Sequence, residues 1–317
     1  MQIFRDVESV PKAPNGSVVT IGAYDGVHLG HRTVIDEVKR LADSLDAQSV
    51  VVTFDRHPAE VVRPQSAPKL LTDLAQRLEL LSSTKVDATL VVPFDADRAT
   101  ESPEDFVLEV LVERLGVRAV VVGEDFHFGK DRQGNVALLR ALGKAHGFTV
   151  SGIDLVGNDG NPTDGLKVSS TQIRQLLREG AVEVAATLLG RHHEVRGPVV
   201  HGDARGRTLG FPTANVAVPT DICLPADGIY AGWFQRPNGD VLPAAINLGR
   251  RPTFYADQPY SLLEAFVIDW SGDLYGEAAH VRFVKRLRSE LKFDSIDALI
   301  AQMNRDVAQA RVILGMD

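Results

Sequence analysis

Hydrophobic residues recur along the chain with two different rhythms. In the first half, short runs that are almost continuously apolar and β-branched stand at Val18–Ile21, Val50–Phe54, Thr89–Val92, Ala119–Val122 and Phe148–Val150. Runs of that length and continuity predict strands buried on both faces. Between them the spacing lengthens. Over Thr33–Leu45, the residues Ile35, Val38, Leu41, Ala42 and Leu45 form one helical stripe. A second helix is expected from Ser102: the hydroxyl can cap, Pro103 suits the first helical position, and Glu104 and Asp105 suit the positive helix end. Alternating strands and helices imply a parallel sheet covered on both sides.

Near residue 187 the rhythm changes. Turn-separated extended segments follow at Val195–Val200, Gly228–Phe234, Val241–Leu248, Leu262–Ile268 and His280–Val284. Pro237-Asn238-Gly239 and Ser271-Gly272-Asp273 have the composition of hairpin turns. The segments predict a small antiparallel barrel. A closing helix follows, with Ile296, Leu299, Ile300, Met303, Val307 and Ala310 at three- and four-residue steps. Two domains are therefore expected, 1–186 and 187–317, with no long linker and no internal repeat.

Composition narrows the function classes. A length of 317 residues suits two compact domains, and 44% hydrophobic with 24% charged residues is ordinary globular usage. The one cysteine, Cys223, excludes an internal disulfide and a cysteine-rich zinc site. Arg5, Asp6 and Glu8 interrupt the N-terminus, so no signal peptide is expected there. No apolar run reaches the roughly 18 residues of a membrane span. A cytoplasmic protein, with no membrane or nucleic-acid partner, is expected; a homo-oligomer stays open. The net charge is −8. Residues 1–186 carry 20 basic and 27 acidic residues, and 187–317 carry 14 and 15, so neither half is a basic nucleic-acid surface. Any phosphate site must be local.

Such a site is expected after the first strand, in Gly22-Ala23-Tyr24-Asp25-Gly26-Val27-His28-Leu29-Gly30-His31. A helix starting near Gly30 would aim free N–H groups and its positive end above the sheet. Gly30 would let a phosphate approach the backbone, and His28 and His31 add donors. A lone histidine is usually structural; two around a glycine at a strand–helix turn point to function. Val168-Ser169-Ser170-Thr171-Gln172-Ile173-Arg174 opens another helix. One hydroxyl would suffice for a cap. Three, with Arg174 one turn further on the same side as Ser170 and Thr171, suit a triphosphate.

These two motifs together resemble the nucleotidyltransferase superfamily. Within it, Thr53-Phe54-Asp55-Arg56-His57-Pro58 and Gly123-Glu124-Asp125-Phe126-His127-Phe128-Gly129 resemble the FMN adenylyltransferase module of prokaryotic bifunctional riboflavin kinase/FAD synthetases. The resemblance implies a Rossmann-like α/β domain. It implies attack by the FMN phosphate on the α-phosphorus of ATP, giving FAD and pyrophosphate. Gly22, Asp25, His28, Gly30, His31, Ser169, Ser170, Thr171 and Arg174 would bind ATP, with His28 and His31 catalytic. Phe54, His57, Pro58 and Asp125 would lie near the flavin or its phosphate. Tyr24 stands where the family usually has phenylalanine. Gly123…Gly129-Lys130-Asp131 imitates a P-loop, but the glycine spacing is one too long and Asp131 replaces the required Ser or Thr.

The second half carries its own chemistry. Glycines 202, 206 and 210 open a loop that could wrap phosphates, or could be a plain surface loop. Thr213 and Asn215, two apart on a strand, share a face and offer hard oxygen ligands. Glu264 interrupts the apolar run Leu263–Ile268, as a functional acid or as an edge-strand ion pair. Phe211-Pro212-Thr213-Ala214-Asn215, Asn247-Leu248-Gly249-Arg250-Arg251-Pro252-Thr253-Phe254 and the strand glutamate resemble riboflavin kinase. That resemblance implies ATP binding by Gly202, Gly206, Gly210, Thr213 and Asn215, with Thr213 and Asn215 on Mg²⁺. Glu264 would take the proton from the riboflavin 5′-hydroxyl as it attacks the γ-phosphate, giving FMN. Phe266 and Trp270 depart from the usual histidine and phenylalanine. His192-His193-Glu194 is expected to be a solvated stretch, without metal-site spacing. Two rivals remain at this point: a nucleotidyltransferase with another phosphate acceptor, and a flavin-binding regulator with decayed sites.

Overall fold

The computed structural model describes residues 1–153, 168–202, 210–249 and 260–316, with side chains assigned from 263 onward in the last stretch. Contacts divide the chain into two compact units, Met1–Ser170 and Thr171–Asp317.

The first unit is built on six parallel strands: β1 (Gln2–Phe4), β2 (Ser17–Ile21), β3 (Gln48–Phe54), β4 (Ala88–Val92), β5 (Val117–Gly123) and β8 (Thr149–Ile153). They lie in the order β1-β4-β3-β2-β5-β8. A two-stranded hairpin, β6 (His127–Phe128) and β7 (Gly134–Asn135), projects after β5. The continuous apolar runs are explained by burial on both faces. Val19, Ile21, Val50, Val52, Val120 and Val122 share one core with Phe106, Val110, Leu111 and Leu139. On the other face Val18, Ala119 and Val121 pack against Val34, Val38 and Ala42 of helix α1 (Leu29–Leu45). Each buried valine contributes up to about 1.5–3 kcal/mol by area. β2 and β5 are neighbours although two strands intervene in sequence, so the chain reverses direction across the sheet there. That switch point opens a crevice at the strands' carboxyl ends.

Short helices α2 (Pro58–Val62), α3 (Leu74–Ser83) and α4 (Ala96–Thr100) follow. The expected cap at Ser102 is present: its hydroxyl accepts from the Asp105 N–H at 3.0 Å, and Pro103 begins α5 (Pro103–Phe106). The helix then continues as a π-helical stretch, Val107–Arg114, that no residue spacing announces. α6 (Val136–His146) ends on Gly147, whose φ of +84° lies in the left-handed region that glycine adopts without strain. β1 was not expected; it is a three-residue edge strand too short to carry a pattern.

The second unit holds most of α7 (Ser170–Arg178), then α8 (Val182–Leu189), a barrel and a closing helix. The barrel strands are β9 (His193–Val200), β10 (Thr213–Pro219), β11 (Gly228–Gln235), β12 (Val241–Leu248), β13 (Tyr260–Val267) and β14 (Ala278–Arg288). They close in the order β10-β13-β12-β11-β14-β9, all antiparallel. Alternate residues fill the interior, among them Val216, Leu263, Ala265, Ile246, Tyr230, Phe234, Val281 and Phe283. Gly232 is required there: a Cβ would sit 2.4 Å from the Ile246 Cδ1 atom. On the outside, Val307, Ala310 and Ile313 of α9 (Ile296–Ile313) cluster with Ala231, Ala245, Phe266 and Ile268. Arg288 anchors that helix, donating to both Asp306 oxygens at 2.6–3.1 Å.

The turn at 237–239 joins β11 to β12 as expected, with Gly239 at φ +94°. Ser271-Gly272-Asp273 does not close a hairpin. β13 pairs with β10 and β12, and β14 with β11 and β9, so this segment crosses to another part of the barrel. The stretch at 192–194 also differs from expectation, since only His192 is exposed. His193 is 2% exposed, stacks on Phe283 inside the barrel and bonds the Cys223 carbonyl at 2.8 Å. The buried Glu194 accepts from Arg196 and Arg282. Pairing with β14 puts both residues within a strand on opposite faces, His193 against Phe283 and Glu194 against Arg282.

Candidate active sites

The first site forms where β2 ends. Tyr24, Gly26 and Val27 all have positive φ, so the chain turns sharply before α1. Two of these are not glycine, a strain of roughly 1–3 kcal/mol each that packing must offset. Tyr24 is buried, and its hydroxyl meets the Thr20 hydroxyl at 2.6 Å. The extra oxygen relative to phenylalanine is thereby satisfied, and burial holds its pKa far above the ordinary value of a tyrosine. A Cβ at Gly22 would press the Tyr24 ring at 3.2 Å.

His28 caps α1 with its own ring: Nδ1 accepts from the His31 N–H at 3.3 Å. The two imidazoles stack, with centroids 3.6 Å apart and planes 16° apart. Gly30 is enclosed, since a Cβ would lie 3.3 Å from His28 Nδ1 and from the Val168 carbonyl. Ser170 donates to the Asp25 carbonyl at 2.9 Å, so the serine-rich turn is tied to the glycine turn. Ser169 precedes α7, Thr171 stands on its first turn, and Arg174 lies one turn on, four residues from Ser170 and three from Thr171. Thr171 is exposed and Arg174 buried.

Asp25 is placed differently from the histidines. It is 3% exposed, and its carboxylate accepts from the N–H groups of Leu71 and Thr72 at 2.9–3.0 Å and from the Thr72 hydroxyl. It braces the turn from a distant segment. His57 caps α2: Nδ1 accepts from Ala59 N–H, and Glu60 accepts from His57 N–H, with Pro58 first in the helix. Phe54 ends β3 and meets Phe94 edge-on. Asp125 is exposed in the turn after β5, where its carbonyl bonds the His127 ring. Gly129 adopts φ +70° against Pro103, in a hairpin rather than a phosphate loop.

The second site lies across three barrel strands. Asn215 on β10 faces Glu264 on β13, which faces Asn247 on β12. Asn247 donates to the Glu264 carboxylate at 3.0 Å. β13 is internal to a closed barrel, so Glu264 is not an edge-strand residue. Thr213 shares the Asn215 face, paired with Phe266. Asn215 is 5% exposed and lies directly on Gly202, where a Cβ would fall 2.5 Å from its amide nitrogen. Gly210 has φ +85°; Gly206 lies outside the described residues. Phe266 meets Phe211 edge-on, and the Arg236 guanidinium lies over the Trp270 ring at 5.2 Å. Asn247 was visible in its motif but had no assigned task; only the register shows its contact.

Two family models match in the order of the two sites. FAD synthetase covers residues 10–172 and riboflavin kinase covers 189–314. The chain belongs to the bifunctional riboflavin kinase/FMN adenylyltransferase family. Relatives of that name include one from Haemophilus influenzae, 36% identical over 311 residues and 98% of each chain. One from Escherichia coli K12 is 36% identical over 321 residues, covering 100% of this chain and 99% of the relative. One from Pseudomonas fluorescens is 37% identical over 313 residues, covering 99% and 98%. A solved Streptococcus pneumoniae chain described as a macrolide-efflux protein superposes with a TM-score of 0.84 at 29% identity, covering 98% of both. Among the described residues no helix is long and apolar enough to cross a membrane.

Proposed function

We infer that this chain converts riboflavin and ATP to FMN and ADP in its barrel, and FMN and ATP to FAD and pyrophosphate on its parallel sheet. Full-length likeness to enzymes of that pair of activities supports the reading. The structural observation that carries it is the row Asn215–Glu264–Asn247, a carboxylate bonded by one amide and flanked in register by a second.

In the kinase step Glu264 accepts the 5′-hydroxyl proton while the freed oxygen attacks the γ-phosphorus. Asn247 holds the carboxylate in one orientation. Thr213 and Asn215 offer neutral oxygens beside that carboxylate, a donor set that fits Mg²⁺ and not a thiol-seeking metal. When bound there, Mg²⁺ would neutralise phosphate charge. Phe211 and Phe266 give an aromatic wall next to Thr213.

In the adenylyl step no protein nucleophile is needed; alignment and charge neutralisation carry the rate. The stacked His28 and His31, the start of α1, and Ser169, Ser170, Thr171 and Arg174 supply the phosphate contacts. Gly22 and Gly30 keep the turn close to them. Asp25 fixes the turn through Leu71 and Thr72. Phe54, His57, Pro58 and Asp125 stand on the flavin side. The domains act separately, with the kinase in 187–317, and the reactions run in the cytoplasm, where the buried thiol of Cys223 stays reduced. Incubation with riboflavin, ATP and Mg²⁺, resolving flavins by chromatography, tests the whole reading. FMN should rise first and FAD follow. No FMN would remove the kinase, and no FAD from supplied FMN would remove the transferase.

A further inference from the structure

Arg77, on α3, is 4% exposed. Burial lowers its pKa, opposed by the fields of Asp25, Asp55, Glu60 and Asp73. Two of its N–H groups donate to carbonyl oxygens. Nη1 donates to Ala23 at 2.7 Å and Nη2 to Phe54 at 2.7 Å. Those carbonyls lie immediately beyond the last regular pairing of two adjacent strands. The ladder between β2 and β3 reaches Ile21 and Val52, and Gly22 N–H still bonds the Val52 carbonyl at 3.0 Å. Past that bond no further β2–β3 pairing follows among the described residues, while β3 stays paired with β4 as far as Phe54. One strand continues into Tyr24–His31, the other into Phe54–Pro58.

The planar guanidinium bridges the two segments with two N–H groups in a fixed fork. The Thr53 hydroxyl reinforces the same Ala23 carbonyl at 3.2 Å. Burying a cation is costly, so a purely structural bridge could be made more cheaply by a neutral donor. We propose that Arg77 is a positioning residue for adenylyl transfer, setting the distance between the phosphate-side turn carrying His28 and His31 and the flavin-side segment carrying Phe54 and His57. The proposal rests on the transferase reading of this unit. In-line attack depends on the spacing of two bound substrates, and a misplacement of about 1 Å can cost about 10²-fold in rate.

The test uses the full-length chain with Arg77→Met, which keeps the apolar stem, and Arg77→Lys, which keeps the charge but replaces the fork with one ammonium. FMN-to-FAD kinetics and riboflavin phosphorylation are measured on each preparation, beside thermal melting. The expected result is a fall of about 10–100-fold in transferase kcat for Arg77→Met. Its KM for ATP should move by less than about threefold, kinase rates should be unchanged, and Arg77→Lys, which cannot hold both carbonyls in one fork, should stay at least about tenfold below wild type. A merely structural role would lower the melting temperature and active fraction while leaving kcat per active site intact, and that result overturns the proposal. So does wild-type kcat in Arg77→Lys, since a single cation without the fork would then suffice. If Arg77→Met does not fold, Arg77→Gln decides: it keeps an N–H donor without charge, and wild-type kcat in it would overturn the proposal. A wild-type chain that makes no FAD from FMN would instead refute the underlying transferase reading.

Discussion

Gly202→Ala is a one-carbon test of the kinase site. The backbone at Gly202 is outside the left-handed region, so alanine brings no conformational penalty; only space is at issue. The new Cβ would lie 2.5 Å from Asn215 Nδ2, 2.6 Å from Cγ and 2.7 Å from Oδ1. Carbon contacts are comfortable near 3.5–4.0 Å, so the amide must retreat by roughly 1 Å. It is 5% exposed, with little room to do so. Overpacking should cost about 1–3 kcal/mol of stability. If Asn215 holds Mg²⁺ as proposed, a displacement of about 1 Å in its amide should cost riboflavin phosphorylation about 10–100-fold, with a raised Mg²⁺ requirement. FMN adenylylation should not change. The assay is initial rates of both reactions on one preparation, with Mg²⁺ titrated in the kinase reaction. A double-mutant cycle makes the reasoning specific. If Gly202 matters because it makes room for Asn215, then Gly202→Ala/Asn215→Ala should be no worse than Asn215→Ala alone. Additive losses would show that Gly202 acts on ATP through its own backbone. Wild-type kinase turnover in folded Gly202→Ala would refute the steric argument outright.

Replacing His28 and His31 together with alanine should abolish FAD formation while FMN formation persists, at about 2–4 kcal/mol of barrier for each lost phosphate donor. Because His28 also caps α1, His28→Asn separates the roles: it should keep the melting temperature and still lose activity. Glu264→Gln can keep the Asn247 contact but cannot take a proton, so FMN formation should fall by roughly 10²–10⁴-fold with riboflavin binding retained; unchanged turnover removes the base assignment. A fragment of 171–317 should fold and phosphorylate riboflavin better than one of 187–317. The shorter piece discards the fully buried Val182 and Ala185 of α8 and the bond from Ala226 N–H to the Leu177 carbonyl, several kcal/mol by area; equal melting of the two fragments would contradict this.

What could be read without coordinates follows from how local each determinant is. The sheet strands were legible because a strand buried on both faces must be apolar throughout, and Val50–Phe54 cannot hide that requirement. The Ser102 cap was legible because acceptor and donor lie three residues apart. His57 has the same local geometry, yet its capping was missed, because histidine is an unusual residue to close a capping box with Glu60. Asp25 belongs to the phosphate-site motif by its neighbours, while the contacts of its carboxylate lie with Leu71 and Thr72, 46 and 47 residues away. No spacing rule reaches that far. The kinase row is harder still. Asn215, Glu264 and Asn247 belong to strands adjacent in the order β10-β13-β12, out of chain sequence. A shift of one residue in either register would turn Glu264 to the other face of the barrel. Residue types therefore announce that an acid and two amides exist, while strand pairing alone brings them together. The same holds for Arg77, which looks like any polar residue on a short helix until its two bonds to the chain beyond the β2–β3 ladder are seen. Residues that hold catalytic segments apart carry no motif of their own, because what they recognise is backbone, and every residue has one.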